Sequence, residues 1–135
     1  MRDLPGIVAK VLSKIGAHFQ SGIDRVEATV RLAGGRKQNV CIQFFPASST
    51  ESRLIRIFSV CAPVDDSYLR RALEFNATMS HGALAIQNIN GEPHFVMLNS
   101  YLPESCEAED IRRSVLEVAR WEDDVEMMRT GRDDR

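Results

Sequence analysis

Leu4, Ile7, Val8, Val11, Leu12 and Ile15 recur at intervals of three and four residues, the spacing that gathers apolar side chains on one face of a helix. Asp3 can cap that helix, Pro5 is tolerated in its first turn, and Gly16 can end it. Lys10 and Lys14 lie off the apolar stripe, on a solvated back. From Val26 the period becomes two. Val26, Ala28, Val30 and Leu32 share one face of a strand, and Arg25, Glu27, Thr29 and Arg31 share the other. Gly34-Gly35 supplies a turn, and Val40, Ile42 and Phe44 resume the alternation until Pro46, which makes a hairpin. After a polar loop over Ala47 to Ser52, a third strand runs from Arg53 to Pro63.

Asp65 or Asp66 can cap a second helix that carries Leu69, Ala72, Leu73 and Asn76 on one face and ends near Ser80-His81-Gly82. Two further strands, Ala83 to Gln87 and Pro93 to Tyr101, flank Asn90-Gly91, the preferred pair for a tight primed turn. A third helix follows Pro103 and Glu104. It has Glu107, Glu109 and Asp110 in its first turn, carries Ile111, Val115, Val118 and Ala119, and runs to about Met128. The expected fold is therefore α+β: an antiparallel five-stranded sheet flanked by three helices in the order α-β-β-β-α-β-β-α, because hairpins dominate and helices do not alternate with single strands.

Composition narrows the function. At 135 residues, 44% hydrophobic and 27% charged, the chain suits a single globular domain over residues 1–129 with a polar C-terminal tail at 130–135. A net charge of −2 gives no basic footprint for nucleic acid. No apolar run reaches the roughly 20 residues that span a bilayer, and no signal peptide is evident, so the expectation is a cytoplasmic protein with no membrane partner. Cys41, Cys61 and Cys106 are odd in number and widely spaced, which predicts reduced thiols, at least two of them buried.

Chemistry is sparse. His18, His81 and His94 form no metal-ligand motif, so no metal and no cofactor is expected. Gly34-Gly35-Arg36-Lys37 joins two strands and lacks the following helix an anion-binding loop needs. The acidic run Glu122, Asp123, Asp124 and Glu126 is interleaved with arginines, as on a solvated helix face. No nucleophile elbow is present, so no catalytic residue is expected. What the pattern does show is surplus apolar strand surface. If Val40, Ile42 and Phe44 face the helices, then Cys41 and Phe45 face the other way, and the expectation adds Ile55 and Ile57 to them. Either a helix covers that second face or it binds a partner. Contiguous exposed apolar area favours the partner.

The run Leu69-Arg-Arg-Ala-Leu73-Glu-Phe-Asn76, then His81-Gly82-Ala-Leu84, the Asn90-Gly91 turn, the strand Phe95-Val96-Met97-Leu98 and a last helix through Trp121 resemble the YbjN-like and type III secretion chaperone-like proteins of the CesT-type fold. The likeness extends over about residues 24–128 in layout and 66–125 in residue pattern. It implies a homodimer formed through the middle helix and neighbouring strand, which would place Leu69, Leu73, Phe75 and Leu84 at the dimer interface. It also implies a chaperone-like module that holds an extended or apolar segment of another protein. The expectation is thus a non-enzymatic, homodimeric protein-binding domain. Its alternatives are a small enzyme with a site assembled from His81, His94 and Cys106, and a structural subunit of a larger assembly.

Overall fold

The computed structural model describes residues 3–45, 54–79 and 82–130, with no account of the side chains of Phe45 and 122–130. The polar loop at Ala47 to Ser52, Ser80, His81 and the tail at 131–135 lie outside the described residues. The elements are α1 (Leu4–Lys14), β1 (His18–Ser21), β2 (Arg25–Arg31), β3 (Lys37–Phe45), β4 (Leu54–Pro63), α2 (Leu69–Thr78), β5 (Ala83–Ile89), β6 (Glu92–Tyr101) and α3 (Ala108–Thr130). They form an α+β domain with three helices on an antiparallel sheet. That sheet has six strands in the order β1-β2-β3-β4-β6-β5, one more than the alternation predicts. The added strand, β1, has a single apolar side chain at Phe19, so no period of two announces it. Its place comes from pairing with β2, with Phe19 opposite Ala28.

Local chemistry explains the ends of the elements. The Asp3 side chain accepts from the Gly6 N–H at 3.2 Å to cap α1. The Asp65 carboxylate takes hydrogen bonds from the Ser67 N–H and hydroxyl, and this caps a short 3₁₀ turn that leads into α2 rather than α2 itself. The β5-β6 turn has Asn90 at φ 54° and Gly91 at φ 85°, the two positive values that a type I′ turn requires. At the start of α3, the Asp110 carboxylate reaches back to the Glu107 N–H at 2.9 Å.

Strand register decides what faces the helices. Ile42 lies opposite both Val26 and Ile57, Phe44 opposite Ile55, and Ile55 opposite Tyr101, and directly paired residues share a face. That face packs on Val8 and Leu12 of α1, Ala72 of α2, and Ile111, Val115, Val118 and Ala119 of α3. The α3 set follows helical spacing, so one stripe of the helix covers the middle of the sheet. Ile55 and Ile57 therefore belong to the core, at 1% and 0% exposure, and the expectation that they join Cys41 and Phe45 on the second face is corrected. The strand over Leu54–Val60 is apolar at both parities, and only pairing with Ile42 and Phe44 settles which parity turns inward. Phe58 and Val60 occupy the second face instead, opposite Cys41 and Val96 respectively.

The cysteines also depart from expectation. Only Cys106 is buried, while Cys41 and Cys61 are half-buried, and none of the three is in a disulfide. Cys61 sits at a bulge, where Val60 pairs with Val96 and Ala62 with Phe95.

Replacing Ile57 by Glu should unfold the domain, because an unpaired carboxylate in a dry core costs several kcal/mol against a total of about 5–15 kcal/mol. Val60→Glu, on the second face at 40% exposure, should shift stability by no more than about 0.5 kcal/mol. Urea unfolding of both variants checks the register, and equal losses would contradict it.

Candidate functional site

Two surfaces remain once the helices have covered one side of the sheet. The first is the opposite face. Its polar half comes from β2 and β3, where the Thr29 hydroxyl donates to Asn39 Oδ1 at 3.1 Å and Arg25 lies 3.7 Å from Glu27 and 3.8 Å from Asp24. Its apolar half comes from β4, β6 and β5, where Phe58 pairs with Leu98, Val60 with Val96 and Ala85 with Val96. Phe58 and Val96 are buried there without joining the helix-side core. Cross-strand neighbours cover them, which is the ordinary way an uncovered sheet face shelters its larger side chains.

This face is a cleft of about 930 Å³. Its walls include His18 and Gln20 from β1 and Asn88 to Asn90 from the end of β5 and its turn. Those are the first and last strands of the sheet, so the sheet curls until its two margins border one hollow. Cys41 lies in the cleft between Glu27 and Phe58. Desolvation pushes its thiol up to about 11, with the Arg25 charge only partly opposing it. It is a packing residue with little thiolate at neutral pH.

The second surface is the β5 margin. The buried stripe of α2 consists of Ala72 with half-buried Phe75 and Asn76, spaced i, i+3 and i+4, and Met79 just past the helix packs on the same core. The Asn76 amide makes two bonds to one residue of β5: its Nδ2 donates to the Leu84 carbonyl at 3.1 Å, and its Oδ1 accepts from the Leu84 N–H at 2.7 Å. Both backbone groups of Leu84 thus point away from β6, toward the outer edge. Antiparallel pairing repeats with a period of two, so Ile86 and Asn88 direct their N–H and C=O outward as well. Among the described residues those groups have no partner.

The residues read from sequence as dimer contacts separate accordingly. Leu73 stands 71% exposed and Leu69 at the margin of exposure, Phe75 packs against the core, and Leu84 is buried at 6%. Leu84 is corrected from interface to core: it faces Met97 and the helices, while its backbone is held by Asn76. Ile86, 53% exposed, escaped the sequence reading, although the lack of any charge in Ala83–Ile89 was a visible signal. Phe45 lies opposite Leu54, and its side chain is outside the description.

His94 and Cys106 do not meet. The His94 ring contacts the Glu92 carbonyl through Nδ1 at 2.9 Å near the hairpin end of β6. The strand then travels seven residues, roughly 23 Å, before the turn that leads to Cys106 in the helix-side core. His81 lies outside the described residues. Among the described residues no group of three His, Cys, Asp or Glu side chains could hold a metal ion, and no helix is long and apolar enough to cross a membrane.

No protein-family model and no curated protein matches the chain. In three dimensions it is similar to the crystal structure of YbjN from E. coli, described as a candidate transcription regulator, with a TM-score of 0.55 over 96% of this chain and 92% of that one at 11% identity. The fold is YbjN-like.

The cleft reading makes a thiol prediction. In the folded protein at pH 8, Cys41 should carry about a hundredfold less thiolate than an exposed thiol and should react with a disulfide reagent correspondingly late. The lag should disappear in denaturant. Mass mapping of the first cysteine labelled checks this, and prompt labelling of Cys41 would contradict a desolvated setting.

Proposed function

We propose that this chain is a non-enzymatic protein-binding module, chaperone-like in architecture, that works as a homodimer and holds an apolar or extended segment of a partner on its open sheet face. The observation that carries the reading is the β5 margin. It is a seven-residue strand without charge or proline, blocked by Asn76 at Leu84 and open at Ile86 and Asn88, beside the exposed leucine of α2. Soluble domains ordinarily blunt such an edge with Lys, Pro or a covering element. Here the covering stops after one residue pair.

A second copy fits that edge. Two β5 strands related by a two-fold axis can exchange the outward N–H and C=O groups of Ile86 and Asn88, and with no charge on either strand nothing repels. Leu73 of each subunit gains an apolar neighbour in the same event. The open cleft, with amides along one half and Phe58 and Val60 along the other, suits an extended segment whose backbone seeks hydrogen bonds and whose side chains seek apolar contact.

Regulation through contact with another protein accords with the description attached to YbjN. Direct reading of nucleic acid does not accord with a net charge of −2. The distance between His94 and Cys106 supports leaving an enzymatic role out of the reading.

Leu73→Glu and Ile86→Lys should each convert the dimer to monomer at micromolar concentration, since a charge stranded in an apolar contact costs about 2 kcal/mol or more. Monomer stability should change little, because both positions are exposed. Sedimentation velocity is the readout, and a wild-type chain that sediments as a monomer across that range would overturn the homodimer.

A further inference from the structure

Between α1 and α3 lies a groove of about 620 Å³, away from both the sheet cleft and the β5 margin. Its floor is apolar, formed by Ile7, Val11 and Ala108, and Lys10 and Lys14 stand on its α1 rim. The opposite rim carries Glu109 and Arg112, and these are already committed to each other. Arg112 Nε lies 3.0 Å from Oε1 of Glu109, Arg112 Nη2 lies 2.6 Å from Oε2, and Arg113 approaches the same carboxylate at 3.9 Å. Neither lysine has a carboxylate partner among the described residues. Lys14, in the last turn of α1, is accounted for by the negative end of that helix. Lys10, one turn earlier, has no such role.

We propose that this groove takes an acidic amphipathic helix of a partner protein. The proposal rests on the reading of the chain as a protein-binding module and gives one class of partner its chemistry. Lys10 and Lys14 are one helical turn apart, roughly 6 Å between Cβ atoms, which is the spacing of two carboxylates at i and i+4 on a facing helix. Apolar residues between those carboxylates would fill the floor over Ile7 and Val11. An extended segment is disfavoured here because the groove is walled by two helices, whose backbones offer no ladder to its N–H and C=O groups. A helix satisfies its own backbone and needs only side-chain contact.

The test uses fluorescence anisotropy with a labelled 18-residue amphipathic peptide, Leu on one face and Glu at i and i+4 on its flank, beside the same peptide with Gln for each Glu. The wild-type chain should bind the Glu peptide about tenfold more tightly than the Gln peptide at low salt. Lys10→Gln/Lys14→Gln should abolish that preference and leave the Gln peptide unaffected. Ala108→Trp, at an exposed position in the groove, should weaken both peptides about tenfold or more by filling the floor. Equal affinity for the two peptides, or indifference to Ala108→Trp, would overturn the proposal. So would binding of phosphatidylglycerol vesicles through the same lysines in preference to the peptide. Dimerisation through Leu73 and Ile86 is read separately by sedimentation, so failure of the peptide with an intact dimer condemns the groove alone.

Discussion

Three helices pack on one face of a six-stranded sheet, and because strands alternate with a period of two, half of the strand side chains meet no helix. The rest of the molecule adjusts to that constraint. On the helix side Ile42, Ile55, Ile57 and Met97 close with α1 and α3 into one core. On the other side Phe58 and Val96 are sheltered by cross-strand neighbours, and the sheet curls until its margins border a common cleft. A flat sheet would leave those side chains in water, whereas curvature shelters them and creates a concavity.

The second constraint acts at the joint between α2 and β5. Gly82 holds φ at +84°, and an added Cβ would fall 2.3 Å from Asn99 Oδ1 and 2.9 Å from the Trp121 ring. Both the left-handed backbone and the contact demand glycine. Asn99 is buried, donates through Nδ2 to the Ser114 hydroxyl at 2.9 Å, and turns toward that glycine an Oδ1 that has no hydrogen-bond partner among the described residues. Tyr101 OH shares the Ser114 hydroxyl and so ties β6 to α3 a second time. Two residues past Gly82, Leu84 meets Asn76. The two Asn76–Leu84 bonds fix where α2 meets the β5 edge, and the edge beyond them stays open.

Much of the fold was legible because local signals agreed with tertiary ones. Asp3, Gly16, the two glycines after Ala33 and the Asn90-Gly91 pair punctuate the chain where the structure turns. Legibility failed where periodicity carried no parity. Leu54 to Val60 is apolar on both sides, so Ile55 and Ile57 could not be placed until β3 supplied a register. It failed again where an element had too few apolar residues to show a period, as in β1. The leucines of α2 illustrate a third limit: helical spacing put Leu69, Ala72 and Leu73 on one face, but only contact with β5 shows that Ala72 turns inward and Leu73 outward. The alternation placed Cys41 on the second face, but its desolvation and the α1-α3 groove were illegible, since desolvation and unpaired charge are properties of neighbours brought together by the fold.

The account turns on a β5 edge that is closed at one residue pair and open at the next two, and amide hydrogen exchange reads those sites individually. The Leu84 amide, held by the side chain of Asn76, should be protected at every protein concentration. The Ile86 and Asn88 amides should exchange freely in dilute protein and become protected together as concentration rises and a second edge pairs with them. Protection of all three in dilute monomer, or continued exchange of Ile86 and Asn88 at concentrations where the chain sediments as a dimer, would contradict the assignment of this edge as the self-association site.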